Sequence, residues 1–222
     1  SRGLGDVYKR QLQNYTPELA QAVREGESKT DHYEDILGTY LVKLSALKIS
    51  ESDSSEAAML LKALSDFERI GDHALNILES AEELKGKNLS LSDAARHELN
   101  VLLRAVEEIV DMTFRAFRDD DLEKAYRVEP LEQVIDDLKE KMRIHHILRM
   151  QQGSCSIESG FVWSDLLTAL ERVGDHCSNI AGCIIDLHHH NMNTHEAIRS
   201  ARMENGNFDD EYKAYAAKYS LK

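Results

Sequence analysis

The chain has 222 residues and a formal net charge of −13; 42% of its residues are hydrophobic and 30% are charged. This composition supports a buried core and excludes the collagen-like, low-complexity and intrinsically disordered classes. No apolar run approaches the roughly 18 residues that span a bilayer, so the chain as given is expected to be soluble. Its acidic balance argues against nucleic acid as the main partner, because phosphate binding rests on clustered Lys and Arg.

The first residues and the cysteines give the next expectations. Residues 1–11 are basic, glycine-rich and aperiodic, and we set them apart as a non-native or linker segment without a signal-peptide pattern. The three cysteines, Cys155, Cys177 and Cys183, include no CxxC pair. A reducing compartment is therefore the default expectation.

Helix is the predicted main state, because the chain is rich in Ala, Leu, Glu and Lys and has only 11 Gly and 2 Pro. Apolar residues recur in alternating steps of four and three, as in Leu166, Leu170, Val173 and Cys177, a spacing typical of near-parallel helices in a bundle. Six main helices are predicted, over about 17–24, 31–49, 55–84, 92–118, 129–153 and 156–188. The tail is polar, with a weak helix predicted between Asp209 and Tyr219.

A ten-residue motif occurs twice, as ERIGDHALNI from Glu68 and as ERVGDHCSNI from Glu171, and seven of its ten positions are identical. The preceding segments also correspond at an offset near 102 residues, with residues 34–35 over residues 136–137. This repeat predicts two tandem three-helix units, over residues 12–86 and 90–190, with a polar tail over 191–222. The expected fold class is all-α.

Each motif places two carboxylates four residues apart, on one face of a helix. Such a pair repels by roughly 0.2–0.5 kcal/mol, so a compensating cation is expected, either the adjacent Arg69 and Arg172 or a bound metal ion. Oxygen ligands suit Mg²⁺, Ca²⁺, Mn²⁺ or iron. The candidate metal ligands are Glu68, Asp72, Glu171 and Asp175 on the motif helices, and Asp31, Glu34, Asp35, Glu132, Asp136 and Asp137 on the preceding helices.

Two other interpretations of the acidic residues stay open. They could form salt bridges in a metal-free helical adaptor, or they could serve a metal-dependent enzyme. The enzyme ranks last, because the chain has no GxSxG, P-loop, dinucleotide or HExxH motif and no Glu-x-x-His pair on its motif helices.

Other residues of the motif helices have expected structural roles. Gly71 and Gly174 lie inside predicted helices, where glycine costs about 1 kcal/mol relative to alanine. We therefore expect another backbone or a ligand to approach closely there. His73 and His176 are expected to be buried or hydrogen-bonded rather than metal ligands. Two aromatic residues at the start of the last main helix, Phe161 and Trp163, are expected to anchor the end of the bundle or to contact a partner.

The doubled motif resembles the repeated E(D)xxxD signature of PhoU proteins, and the likeness covers nearly all of residues 12–190. The stretches 60–84 and 155–185 are also similar to the PhoU-type cytosolic domain of bacterial sodium/phosphate cotransporter homologues. The resemblance implies two three-helix bundles, a non-enzymatic role in regulating phosphate uptake, and multinuclear metal sites on the motif carboxylates. The implied cofactor is iron or a divalent ion such as Mn, Mg, Ca or Zn.

The resemblance also implies a partner and a location. The chain would regulate an attached or associated phosphate transporter domain from the cytoplasm, at the inner face of the cell membrane, without entering the membrane itself. Independently of the resemblance, an acidic bundle with aromatic residues at its ends is expected to be able to form a homodimer. The implied site cores are Glu68 with Asp72 and Glu171 with Asp175. Their supporting ligands align less cleanly, because Thr30 corresponds to Glu132 and Gln133 corresponds to Asp31. The two sites are therefore expected to differ.

Overall fold

The computed structural model describes residues 16–189 and 207–221, and this part of the chain forms six α-helices and no strand. The helices are α1 (Pro17–Ser45), α2 (Glu51–Gly86), α3 (Asp93–Asp119), α4 (Leu122–Gln151), α5 (Ile157–His189) and α6 (Phe208–Lys218). The all-α expectation is confirmed. The segment 1–11 and the first part of the predicted tail lie outside the described residues, and the division into two units stays a prediction.

Capping side chains fix the starts of the first four helices. In each case the side-chain oxygen accepts a hydrogen bond from a backbone N–H three residues later, which satisfies a donor that the helix itself leaves free. The four caps are Thr16, Ser50, Ser92 and Asp121. Three of these helices begin within a few residues of their predicted starts, namely α1 at Pro17, α2 after Ser50 and α3 after Ser92.

The first two predicted helices, over 17–24 and 31–49, are one continuous helix, and this prediction was wrong. Helix α1 runs without interruption through Gly26 and ends at Ser45. It packs along α2, where Val23 is buried and Thr30 lies beside Gly71. This packing outweighs the cost of about 1 kcal/mol for a glycine inside a helix. The sixth described helix is instead α6, within the segment predicted to be weakly helical.

Helix α4 begins at Leu122 rather than near Glu129, and Pro130 lies inside it. A proline there removes one backbone hydrogen bond and disfavours the helix. The first turns of α4 are nevertheless held in the core, because Ala125 and Val128 are almost fully buried. Tertiary packing therefore extends the helix beyond the start that local sequence predicts.

Helix α5 is the centre of the described fold. It packs against α2, α3 and α4, while α1 covers α2 and α6 covers α4. The apolar seam predicted along α5 is confirmed, since its members are at most 3% exposed: Leu166, Leu170, Val173, Cys177, Ile180 and Ile184. None of the helices in the described ranges has the length and apolarity needed to cross a membrane.

Candidate metal centre

Carboxylates from α4 and α5 meet where the two helices pack together. Glu132 and Asp136 lie one turn apart on α4, and Asp175 faces them from α5. Each side chain places an oxygen within 4.8 Å of an oxygen of the other two, and all three residues are partly buried. Among the described residues, this is the one group of three His, Cys, Asp or Glu side chains close enough to share a metal ion.

Glu171, the other motif carboxylate of α5, lies beside this group and is only 13% exposed. Lys139 of α4 donates a hydrogen bond from Nζ to Glu171 Oε1 at 2.6 Å. The second oxygen, Glu171 Oε2, and Asp136 Oδ1 are buried and have no hydrogen-bond donor within the described part of the chain. Buried carboxylate oxygens need a partner, and a bound cation is one that could satisfy such an oxygen.

The electrostatics of the group favour a cation. Burial, and next the negative charge of Glu171, raise the pKa values of both Asp136 and Asp175 above their ordinary range. Arg172 opposes this effect at Asp175, to which it donates a hydrogen bond from Nη1 to Oδ2 at 2.9 Å. Carboxylates that resist ionisation in this way are stabilised when a metal supplies positive charge between them.

The first unit brings together fewer of its predicted ligands. Burial, then Asp72, and to a smaller extent Glu34 of α1, raise the pKa of Glu68. Arg69 lies 3.3 Å from Asp72 Oδ2 and 3.6 Å from Glu68 Oε2. These side chains therefore lie in one electrostatic neighbourhood, although they do not form a group of three within the distance that the second unit reaches.

A threonine in α1 explains part of this difference. A Cβ atom on Gly71 would lie 3.7 Å from Thr30, and a Cβ atom on Gly174 would lie 3.9 Å from Glu132 Cγ. Thr30 and Glu132 thus occupy matching places in the two repeats, as the alignment predicts. The first unit therefore has a hydroxyl group rather than a carboxylate at this place, and the Thr30 hydroxyl donates a hydrogen bond to the Gly26 carbonyl.

The three remaining predicted ligands join no close group of carboxylates among the described residues. Asp31 and Asp35 are on the exposed side of α1 and belong to no close group of possible ligands in the described ranges. Asp137 accepts a hydrogen bond from the Tyr212 hydroxyl of α6. Neighbouring positions on a helix point about 100° apart, so residues 34 and 35 cannot both face the motif helix. Sequence spacing alone does not say which of the two does.

The repeated histidines lie at the contact between α2 and α5. The rings of His73 and His176 stack with their centroids 5.5 Å apart. His176 Nδ1 lies 2.8 Å from Asp66 Oδ1, which also accepts a hydrogen bond from Asn179 at 3.1 Å. His73 Nδ1 lies 3.3 Å from Asn76 Nδ2, so both histidines have hydrogen-bond partners, as expected. Asp66 is a partner that sequence analysis missed, since it precedes the motif and has no counterpart carboxylate at the same offset.

No other backbone closely approaches the motif glycines among the described residues, and the approach of a ligand stays a prediction. A Cβ atom on Gly71 or Gly174 would make only ordinary van der Waals contacts, at 3.7 Å and 3.6 Å. The crowded glycine is instead Gly160, where a Cβ atom would lie 2.9 Å from His146 Nε2. Lys139 was missed as well, although its position three residues after Asp136 places it on the same face of α4.

Comparison with known proteins gives consistent matches. The family model described as PhoU domain matches residues 7–81 and 99–184. A "Phosphate-specific transport system accessory protein PhoU homolog 1" from Thermotoga maritima is 33% identical over 131 residues, which cover 57% of this chain and 53% of that protein. A PhoU homolog from Deinococcus radiodurans is 26% identical over 167 residues, covering 74% and 76%. The match thus spans about half the length of the Thermotoga protein.

Solved structures support the same fold. The crystal structure of PhoU from Pseudomonas aeruginosa has a TM-score of 0.77 at 24% identity and covers 84% of this chain and 89% of its own. A phosphate transport system regulatory protein PhoU from Streptococcus pneumoniae has a TM-score of 0.70 at 19% identity, covering 86% and 91%. These relatives are named as accessory or regulatory proteins, which agrees with the expectation of a non-enzyme. Because the family model matches more than half of the chain, including both copies of the repeated motif, the chain belongs to the PhoU family.

Proposed function

We propose that the chain is a regulatory component of a phosphate transport system, and that it responds to metal bound at the group formed by Glu132, Asp136 and Asp175, with Glu171 beside them. The regulatory role is supported by family membership and by the names of the matched relatives, which are accessory proteins of phosphate-specific transport. The observation that carries the metal site is the convergence of three carboxylate oxygens within 4.8 Å.

The chemistry of the ligand atoms narrows the range of metal ions that the site would bind. All the converging ligands are carboxylates, which suit Mg²⁺, Ca²⁺, Mn²⁺ and iron better than they suit Zn²⁺, whose structural sites use Cys and His. Asp136 and Glu171 each offer a buried oxygen without a donor in the described part of the chain. We propose a second, weaker site formed by Glu68, Asp72 and Glu34. In this first unit Thr30 occupies the place that Glu132 has in the second unit.

A metal ion at this place would act by joining two helices. It would bridge α4 and α5, which otherwise hold several negative charges close together, and so it would stabilise their packing. Lys139 supplies part of that positive charge through its ion pair with Glu171. Metal binding would therefore release Lys139 from Glu171 and change the charge on the surface beside the site, which a partner protein can detect.

The proposed partner is a phosphate transporter. The matched relatives are named as accessory proteins, which favours a transporter that binds as a separate protein over one attached to this chain. A sodium/phosphate transporter domain in the same protein is the alternative arrangement. In either case we propose that the chain works in the cytoplasm at the inner face of the membrane, as a monomer or a homodimer.

The metal site is tested by elemental analysis of untagged protein together with titration of the metal-free protein with Mn²⁺ and Fe²⁺. Asp175→Asn should lower the affinity by at least about tenfold, or about 1.4 kcal/mol of binding free energy, because it removes one charged ligand. Glu140→Gln is the control, because Glu140 is an exposed carboxylate of α4, the helix that carries Glu132 and Asp136, and lies outside the group of three close carboxylates. Equal metal binding by the wild type and Asp175→Asn, with helicity preserved, would contradict the proposed site.

The regulatory role needs a separate test. Expression of the chain in bacteria that lack their own PhoU protein should restore the repression of phosphate uptake in phosphate-rich medium. Asp175→Asn should restore less repression than Glu140→Gln at equal protein levels. Full restoration by Asp175→Asn would separate the regulatory role from metal binding.

A metal-free adaptor is the second candidate, and the ion pairs of the motif helices favour it. Arg69 and Arg172 each lie close to both carboxylates of their own motif, and Lys139 binds Glu171. The adaptor predicts that chelators leave the thermal unfolding temperature unchanged. A metal-dependent enzyme remains the third candidate, and turnover of a generic phosphoester that Asp175→Asn abolishes would support it.

A further inference from the structure

Exposed apolar side chains gather where α4 ends and α5 begins. Phe161 is 68% exposed, Ile157 is 72% exposed, and three α4 residues at helical spacing accompany them. We call this set the α4–α5 apolar patch; its members are Ile144, Ile147, Leu148, Ile157 and Phe161. Large apolar side chains that are exposed together mark interaction sites more often than isolated ones do.

A cavity of about 330 Å³ opens within the patch. Its walls include Ile147, Ile157 and Phe161 of the patch itself, together with Trp163. The cavity is therefore continuous with the exposed apolar surface and gives it depth. Concave apolar surfaces with a few polar groups are the usual form of a binding site.

The charge around the cavity is opposite to that of the chain as a whole. Its lining carries two cationic side chains, Lys139 and Arg143, and no carboxylate, although the net charge of the chain is −13. Lys139 is already paired with Glu171, and burial lowers the pKa of His146, the other basic residue of the lining, so that its ring is uncharged near neutral pH. Arg143 lies 3.3 Å from Glu140, but both side chains are more than half exposed. A surface pair of this kind contributes little, so a carboxylate from a partner can replace Glu140.

Two further polar groups lie at or beside the cavity, a neutral N–H donor and a cation that is already paired. Trp163 is 1% exposed, and its Nε1–H has no acceptor within the described ranges. The guanidinium group of Arg149 lies 5.4 Å from the Trp163 ring centre, and the Arg149 side chain is 11% exposed. Arg149 is itself paired with Glu98, so its guanidinium group is held in place and is not free to bind a partner.

We propose that the α4–α5 apolar patch and its basic cavity dock an acidic amphipathic helix of a partner protein. Apolar side chains at helical spacing on such a partner would cover the patch, and Asp or Glu beside them would bind Arg143, the exposed cation of the cavity lining. That this partner belongs to the phosphate transport machinery rests on the proposed function. The chemistry of the surface does not depend on it.

The test uses a synthetic fluorescein-labelled helical peptide of about 18 residues, with a leucine stripe flanked by Glu, and a twin in which every Glu is Lys. Binding is measured by fluorescence polarisation on the full, metal-free chain. The acidic peptide should bind at least about tenfold more tightly than its twin, and Phe161→Ser should weaken it by a similar factor. Arg143→Glu should reduce or reverse the preference for the acidic peptide.

Leu47→Ser is the matched control, because Leu47 is an apolar residue of similar exposure, 64%, that lies outside the patch. Phe161 and Arg143 are exposed, so their variants should fold, and circular dichroism verifies this. Equal binding of the two peptides, or an unchanged preference in Arg143→Glu, would overturn the proposal. Self-association that disappears in Phe161→Ser would overturn it in favour of a second copy of the chain. Since metal is absent throughout, failure of the metal site leaves the result intact.

Discussion

At the scale of single residues, two glycines of α5 occupy very different surroundings. A Cβ atom on Gly160 would lie 2.9 Å from His146 Nε2 and 3.3 Å from Met150 Sδ, whereas one on Gly174 would lie at least 3.6 Å from any neighbour outside its own helix turn. His146 is buried and stacks on Trp163, so it has little freedom to move aside. The two positions therefore make a matched pair of substitutions.

We predict that Gly174→Ala leaves the free energy of unfolding of the metal-free protein unchanged or raises it by up to about 1 kcal/mol, because alanine favours helix over glycine. Gly160→Ala should lower it by roughly 1–3 kcal/mol, the usual cost of overpacking. Urea unfolding followed by circular dichroism measures both. A loss of similar size in the two variants would contradict the described packing of α4 on α5.

The raised pKa values of the site carboxylates have a consequence for the metal-free protein. Burial and the charge of Glu171 raise the pKa of Asp136 in the folded state above its ordinary value of 3.8. The folded state therefore favours the protonated acid, and the stability that this gives is present below pH 3.8 and lost as the pH rises through the raised pKa. At neutral pH the ionised Asp136 thus destabilises the metal-free protein.

We predict that Asp136→Asn stabilises the metal-free protein at pH 7 and that this gain shrinks as the pH falls towards 4. Urea unfolding in the presence of a chelator, at a series of pH values, measures the effect. Asp31→Asn is the control, because Asp31 is exposed on α1 and should show no such gain. A gain at pH 7 that persists undiminished at low pH would mean that another cause, such as helix propensity, explains it.

At the scale of the helices, the sequence predicted best where local signals act. Capping residues and apolar spacing located α2, α3 and α5, and the doubled motif placed Glu171 and Asp175 on one face of α5 beside a carboxylate-bearing helix. Local signals failed where packing decides. Burial of Val23 carries α1 past Gly26, and burial of Ala125 and Val128 starts α4 before Pro130. The orientation of α1 in the structure, and not the sequence, shows that Glu34 is partly buried whereas Asp31 and Asp35 are exposed.

The matching places of α1 and α4 lead to a prediction about the first unit. Thr30→Glu supplies the carboxylate that Glu132 provides in the second unit, and the adjacent cavity of about 640 Å³, lined by Thr30 and Gly71, has room for it. We predict that Thr30→Glu raises the number of Mn²⁺ ions bound per chain or tightens the weaker binding step. The measurement is calorimetric titration of the metal-free protein.

Thr30→Gln is the matched control, because it has the same size as the glutamate and no charge. Both variants lose the hydroxyl bond to Gly26, so any difference between them reports the added carboxylate. Equal titrations for the two variants would mean that the side chains of the first unit do not converge on a shared ion. The metal-binding role of Glu68 and Asp72 would then lose its support.

At the scale of the whole molecule, α6 joins elements that are far apart in the chain. Tyr215 and Tyr219 are each only 4% exposed and belong to the same buried cluster as the core of α3, α4 and α5. Lys218 binds Glu108 of α3 at 2.6 Å, and Arg127 of α4 lies 3.2 Å from Glu211. The composition of residues 191–222 predicts a polar tail with a weak helix, and it does not reveal that the tyrosines spaced four apart cover the core.

We predict that deletion of residues 207–222 lowers the free energy of unfolding by at least about 3 kcal/mol, because it uncovers the surface that two buried aromatic side chains protect. Tyr212→Phe is the matched control: it removes one hydrogen bond to Asp137 and should cost only about 1 kcal/mol. Urea unfolding of both variants measures the difference. If the deletion cost no more than Tyr212→Phe, α6 would be an appendage on the surface and not a part of the core. A large loss with Mn²⁺ affinity retained in the still-folded protein would show that the C-terminal helix stabilises α3 and α4 without taking part in the metal centre.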